Sequence, residues 1–140
     1  MATRSIIAKL DDKGVQAIYC HNDGYLSNNG KILDLYYTDN TDEQDAKDKV
    51  NELLAGGDIS SLKDTIEDTI FYMRDRGESN KEATTLKDES ALLEFAFESC
   101  DAEVVYMYAY GAWYVYDNSD KIGDSSYQFI ELEEALYVVK

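Results

Sequence analysis

Ile6-Ile7-Ala8-Lys9-Leu10, then Asp11-Asp12-Lys13-Gly14, then Val15-Gln16-Ala17-Ile18-Tyr19-Cys20, is the stretch on which the fold turns. Ile6, Ala8 and Leu10 point one way, and the returning segment alternates in the same fashion. Alternation on both sides of a short polar turn that ends in glycine predicts a β-hairpin, with Gly14 suited to positive φ.

Downstream, 19–25 reads as a strand end running into a turn. The spacing then predicts a helix over 28–37, capped by Ser27, with Ile32, Leu33, Tyr36 and Tyr37 at apolar positions. A second helix starts at Thr41, which has Gln44 three residues on in the capping-box arrangement. Ala46, Val50, Leu53 and Leu54 form its buried stripe, Gly56-Gly57 ends it, and Asp45, Asp48 and Glu52 occupy the opposite face. Residues 57–62 read as a connector, 69–73 as a strand leading into a charged loop, and 79–87 as a polar loop. Asp88 caps a third helix reaching about Ser99. The last third returns to β structure, with 104–110 and 113–116 flanking a two-residue turn at Gly111-Ala112. That turn pairs Tyr110 with Trp113 and Tyr108 with Val115, and both faces of the hairpin are apolar or aromatic. A strand at 127–130 and a short helix at 131–136 complete the chain. Hairpins interspersed with helices, without repeated βαβ units, predict a single α+β domain over 1–140. Its mostly antiparallel sheet is built from hairpins, with two to four helices packed on it.

Composition narrows the function. The 140 residues hold 29 Asp plus Glu against 13 Lys plus Arg, one His and two Cys, for a formal net charge of −16. A 44% apolar share supplies a core and argues against disorder. No apolar run approaches the ~20 residues of a membrane span, and the start lacks a signal-peptide core. The expectation is a soluble intracellular protein whose Cys20 and Cys100 are free thiols. Nucleic acid is held by Lys and Arg set against phosphates, so this charge speaks against direct binding of DNA, RNA or anionic lipid. The surplus is uneven: residues 1–40 carry four basic and five acidic groups, 41–100 carry seven and 16, and 101–140 carry two and eight.

Three constellations could carry chemistry. His21 and Asp23 pair an imidazole with a carboxylate, a setting for a general base or metal ligand. A structural zinc site takes about four Cys or His ligands, which the chain does not supply, and no nucleophile elbow is present, so neither metal nor cofactor is expected and an enzyme is disfavoured. Arg74 and Arg76 concentrate positive charge and, with His21, Asp23 and Tyr25, would line an anion pocket for a nucleotide-like ligand. Asp45, Asp48, Glu52, Asp64, Glu67 and Asp68 form an acidic face. Its bland reading is a solvated surface that aids solubility, and its sharp reading is imitation of DNA toward a basic groove. The aromatic 104–116 hairpin is also a candidate homodimer or partner interface.

Four segments resemble a group of small phage and prophage proteins: Thr3-Arg4-Ser5-Ile6-Ile7-Ala8, Tyr19-Cys20-His21-Asn22-Asp23-Gly24-Tyr25, Gly57-Asp58-Ile59-Ser60-Ser61-Leu62 and Arg74-Asp75-Arg76-Gly77-Glu78. Order and spacing match over nearly the whole chain. The usual member has Thr at the position of Ile6 and often Trp at that of Asn22. The resemblance implies a phage-encoded protein made in a bacterial cytoplasm, of a class that acts by binding host machinery. The expected function is inhibition of a host defence or nucleic-acid-handling protein through the acidic face. The alternative is a small-ligand binder that sequesters a nucleotide through the anion pocket.

Overall fold

The computed structural model describes residues 3–37, 43–65, 67–71, 83–109, 111–117, 129–133 and 136, with backbone alone at 43–46 and 117. Its first hairpin follows from the alternation. β1 (Ser5–Asp11) pairs antiparallel with β2 (Gly14–Cys20) in unbroken register from Ser5↔Cys20 to Asp11↔Gly14. Gly14 takes φ 117° where the chain leaves the turn.

A turn of π-helix over Leu26–Gly30 runs directly into α1 (Lys31–Tyr36). The helical segment therefore starts two residues earlier than the spacing suggests. Ser27 lies inside it and does not cap it, and the capping position falls on Tyr25 without a side-chain bond. Leu26, Asn29, Leu33 and Tyr37 are buried at helical spacing. Tyr36, expected on that stripe, faces solvent instead. α2 (Glu43–Ala55) buries Val50, Leu53 and Leu54, and ends at Gly56-Gly57, whose N–H groups donate to the Leu53 and Leu54 carbonyls. The Thr41 cap lies outside the described residues.

Two stretches expected as loops contain strands. β3 (Ile59–Ser61) runs parallel to the end of β2 through Cys20↔Ile59 and pairs antiparallel with β4 (Ile70–Phe71). β5 (Thr84–Leu86) pairs antiparallel with Val15–Ala17 on the same edge of β2. α3 (Glu89–Glu94) is capped as expected by the Asp88 side chain, which accepts a 2.9 Å bond from the Ala91 N–H. It continues as a π-helical turn to Ser99.

β6 (Val104–Ala109) and β7 (Ala112–Asp117) form the second hairpin. Its loop is one residue earlier than expected: Ala109 pairs with Ala112, Tyr108 with Trp113 and Tyr106 with Val115. Gly111, with φ 79°, is the second residue of the turn and not the first. Moving the loop by one residue shifts the pairing by two, so each side chain keeps its face. β8 (Ile130–Glu131) adds to β7.

The sheet is mixed and eight-stranded among the described residues, ordered β4-β3-β2-β1-β6-β7-β8 with β5 beside β2. The β1–β6 and β2–β3 pairings are parallel and the others antiparallel. This is an α+β domain with a mostly antiparallel sheet. Its centre is the β1–β6 pair, where Ile6, Ile7, Val104, Val105 and Tyr106 are all fully buried. On one face Ile7, Ile18, Tyr106, Tyr108 and Trp113 pack with Leu33 and Tyr37 and with Val50, Leu53 and Leu54 of α2. On the other face Ile6, Ala8, Val15, Ala17, Val105 and Met107 pack with Leu92, Ala96 and the half-buried Phe95 and Phe97. Alanines on that second face let α3 approach the sheet closely.

All six residues of β6 are buried by their own chain. No helix among the described residues is long and apolar enough to cross a membrane.

Because α3 and the turn that follows it pack on one face of the sheet, its cap matters to the fold. Asp88→Ala is expected to lower unfolding free energy by about 1 kcal/mol in a urea titration, with Asp88→Asn retaining most of the stability. An unchanged midpoint for Asp88→Ala would contradict the capping role.

Candidate functional site

Three of the four resemblance segments meet at the end of β2. The His21 and Asn22 N–H groups donate to the carbonyls of Ile59 and Ser60 at 3.1 and 3.0 Å, which is how β3 is recruited to the sheet. The Tyr19 N–H donates to Asp58 Oδ1 at 3.0 Å. Asn22 Nδ2 reaches both the carbonyl and the hydroxyl of Ser60, giving this residue a structural task of its own. The Gly24 N–H donates to the Thr3 carbonyl at 2.9 Å, and the buried Tyr106 hydroxyl donates to the Gly24 carbonyl at 2.6 Å. A Cβ at Gly24 would lie 2.6 Å from the Ser5 side chain, so the close approach of this turn to β1 requires glycine. The fourth segment, with Arg74 and Arg76, lies outside the described residues.

Beneath the turn sit two fully buried polar residues that sequence reasoning missed, Ser5 and Asn29. Asn29 Nδ2 donates to Ser5 Oγ at 3.2 Å and to Cys20 Sγ at 3.4 Å, while the Cys20 thiol donates to the Asn22 carbonyl. Asn28 Nδ2 closes the circuit by donating to Asn29 Oδ1 and to the Asp23 carbonyl. Burial pushes the Cys20 thiol up from its ordinary value, against the opposing hydrogen bonds of Asn29 and its neighbours. A neutral, enclosed thiol is a poor nucleophile. Cys20 and the half-buried Cys100 are free thiols.

This circuit makes the turn a structural junction. His21 is half-buried, with its ring edge-on to Tyr19 at 4.4 Å. Asp23 occupies the left-handed region at φ 59°, as a turn aspartate can, and Tyr25 is 43% exposed. Among the described residues no group of three or more His, Cys, Asp or Glu is disposed to hold a metal ion.

The acidic residues are arranged differently. Asp48 and Glu52 are exposed one turn apart on α2, with Asp45 a turn earlier on the same helix. Asp64, Glu67 and Asp68 are exposed on the loop joining β3 to β4. That loop is pinned from below by Thr69, fully buried, whose hydroxyl donates to the Thr65 carbonyl at 2.8 Å and accepts from the Lys63 N–H. Both acidic groups of the sequence act electrostatically on Tyr37. Burial raises the pKa of the Tyr37 phenol, the Thr69 hydroxyl opposes that shift, and the charges of Glu52 and Asp64 add to it. Lys47, Lys49 and Lys63 are interleaved and exposed, and Asp48, Lys49 and Glu67 engage neighbours within the chain. The result is an anionic surface on a braced scaffold.

No family model, curated protein or solved structure matches the chain, so residues and geometry carry the functional argument.

A further carboxylate, Asp34 on α1, was not signalled by the sequence. Burial, and secondarily the charge of Glu133, raise its pKa above the ordinary 3.8. The folded state therefore prefers the protonated form. The resulting penalty is absent below the unfolded-state pKa, grows as pH rises toward the folded-state value, and is complete above it. Asp34→Asn is expected to raise the thermal midpoint at neutral pH and to leave it unchanged in acid below the ordinary carboxylate range. Equal effects at both pH values would contradict this.

Proposed function

We propose that the protein is a non-enzymatic binding protein whose anionic surface engages a basic face of a host protein. In the context implied by its phage-like segments, that partner is a bacterial defence or nucleic-acid-handling factor met in the cytoplasm. The observation that carries this is the row of exposed carboxylates on α2 and on the β3–β4 loop, two of which, Glu52 and Asp64, both bear electrostatically on the buried Tyr37. Packing of α2 through Val50, Leu53 and Leu54 holds its carboxylates in place.

Preorganised charge of this kind acts at long range. It accelerates association with a positive groove and weakens steeply with salt. B-DNA carries about one negative charge per 1.7 Å of axis, and in this reading the carboxylates of α2 and the β3–β4 loop stand in for part of that array. Imitation of DNA is the sharper form of this reading. The solubility reading accounts for a net charge of −16 but does not call for a loop braced by a buried threonine.

The test is charge reversal. The chain is used to capture its partner from bacterial lysate at low and high salt, alongside a variant with Asp45, Asp48 and Glu52 all changed to Lys. Capture is expected at low salt only, with the variant weakened by about ten-fold or more, chiefly through the association rate. Unchanged capture with unchanged salt dependence would overturn the proposal. A thermal-shift panel of nucleotides is expected to be flat, and stabilisation by one of them would move the function to His21, Asp23, Tyr25, Arg74 and Arg76.

A further inference from the structure

We infer that the fold guards a deamidation site at Asn29-Gly30, and that a spell in the unfolded state converts Asn29 to an acid the native structure cannot take back. The inference is independent of the partner proposed above.

Asn29-Gly30 is the chain's one Asn-Gly pair. In an open chain such a pair reacts with itself. The Gly30 nitrogen gives its proton to water or hydroxide and bonds to the side-chain carbonyl carbon of Asn29, Cγ. The Cγ–Nδ2 bond then breaks, and ammonia leaves with a proton from solvent. Water opens the resulting succinimide at either carbonyl, giving aspartate or isoaspartate with no change of oxidation state. Glycine favours the reaction because no side chain crowds the attacking nitrogen or narrows its backbone angles.

The native structure withholds each requirement. Asn29 has no exposed surface and Gly30 is buried, so water and base are kept out. The carboxamide is held at both ends: Nδ2 donates to Ser5 Oγ at 3.2 Å and to Cys20 Sγ at 3.4 Å, and Oδ1 accepts from Asn28 Nδ2 at 3.0 Å. Asn29 lies inside the π-helical turn, and Gly30 has helical angles, φ −59° and ψ −48°. A helical backbone at Asn29 points the Gly30 nitrogen away from Cγ. Glycine at 30 serves packing here, since an added Cβ would lie 3.2 Å from Leu26 Cδ2 and 3.3 Å from Leu132 Cδ1. The close seat of Leu132 on this turn therefore comes with a bond that lasts only while enclosed.

Neither product fits. Aspartate brings a second acceptor oxygen, and at neutral pH a charge, to a buried site where Ser5 and Cys20 had received N–H donors. Isoaspartate lengthens the backbone by one carbon inside a helix and breaks its hydrogen-bond spacing. Chains altered while unfolded are lost to refolding, and the frequency with which the 26–30 turn opens sets the protein's lifetime.

The full chain is held with a thiol reductant in mildly alkaline buffer, one sample native and one in guanidinium chloride. Aliquots are diluted out of denaturant over time, with peptide mapping by mass spectrometry following residue 29 and fluorescence of Trp113 following refolding. Conversion at Asn29 is expected to run at least about 100-fold faster in denaturant than in the native sample, with refoldable protein declining in step. Gly30→Ala, whose Cβ meets only the flexible ends of leucine side chains, is expected to stay refoldable several-fold longer. Equal conversion in the two samples, undiminished refolding of converted chains, loss of refolding without conversion at residue 29, or a Gly30→Ala decline as fast as the parent's would each overturn the inference. Should Gly30→Ala not fold, the paired time courses of the parent chain decide alone.

Discussion

A parallel pairing that is apolar on both faces governs this molecule. β1 and β6 lie side by side with Ile6, Ile7, Val104, Val105 and Tyr106 fully withdrawn from water. Parallel strands are normally covered on both sides, and here that demand fixes where the helices go. α1 and α2 close one face, and α3 closes the other over a floor of alanines. Once both faces are occupied, charged side chains have only the outer helix surfaces and the connecting loops. The placement of the acidic residues is thus a consequence of how the sheet is buried.

The same constraint separates the motif-rich turn from the acidic surface. The conspicuous segment 19–25 is tied down by Ser60, Thr3, Tyr106, Asn28 and the Asn29–Ser5–Cys20 contacts, most of them donors and acceptors that a ligand would need. Buried polar groups satisfied in this way specify a geometry. Here the geometry is the junction at which β3 joins the sheet, and β3 in turn launches the acidic loop. Motif and acidic loop are connected through architecture: the turn sets the loop that displays Asp64, Glu67 and Asp68.

Much of this was legible in the residues. The first hairpin followed from its alternation, α2 from its stripe and terminal glycines, and the start of α3 from Asp88. The α+β class followed from their order. The faces of the second hairpin were also legible, because its loop differed by one residue and the pairing by two. β3 and β5 were not legible, since three-residue strands are defined by the partners they bond and carry too little pattern of their own. Tyr36 was misassigned because the buried stripe runs through Leu26, Asn29, Leu33 and Tyr37, and its polar member Asn29 hides it from an apolar pattern. Ser5 and Asn29 look like ordinary surface polar residues until the fold encloses them. For the candidate site, α2 displayed its acidic face in the sequence, whereas the joint effect of Glu52 and Asp64 on Tyr37 depends on a tertiary arrangement that no local pattern encodes.

The central claim is that function resides on the anionic exterior of α2 and the β3–β4 loop, over an interior committed to holding them. Hydrogen–deuterium exchange of the full chain with and without poly-L-lysine at low salt tests it most directly. Slower exchange should appear across 47–55 and 62–69 and vanish on raising the salt, while β1, β2 and β6 stay unchanged. Protection centred instead on the 20–25 turn, or insensitive to salt, would contradict it.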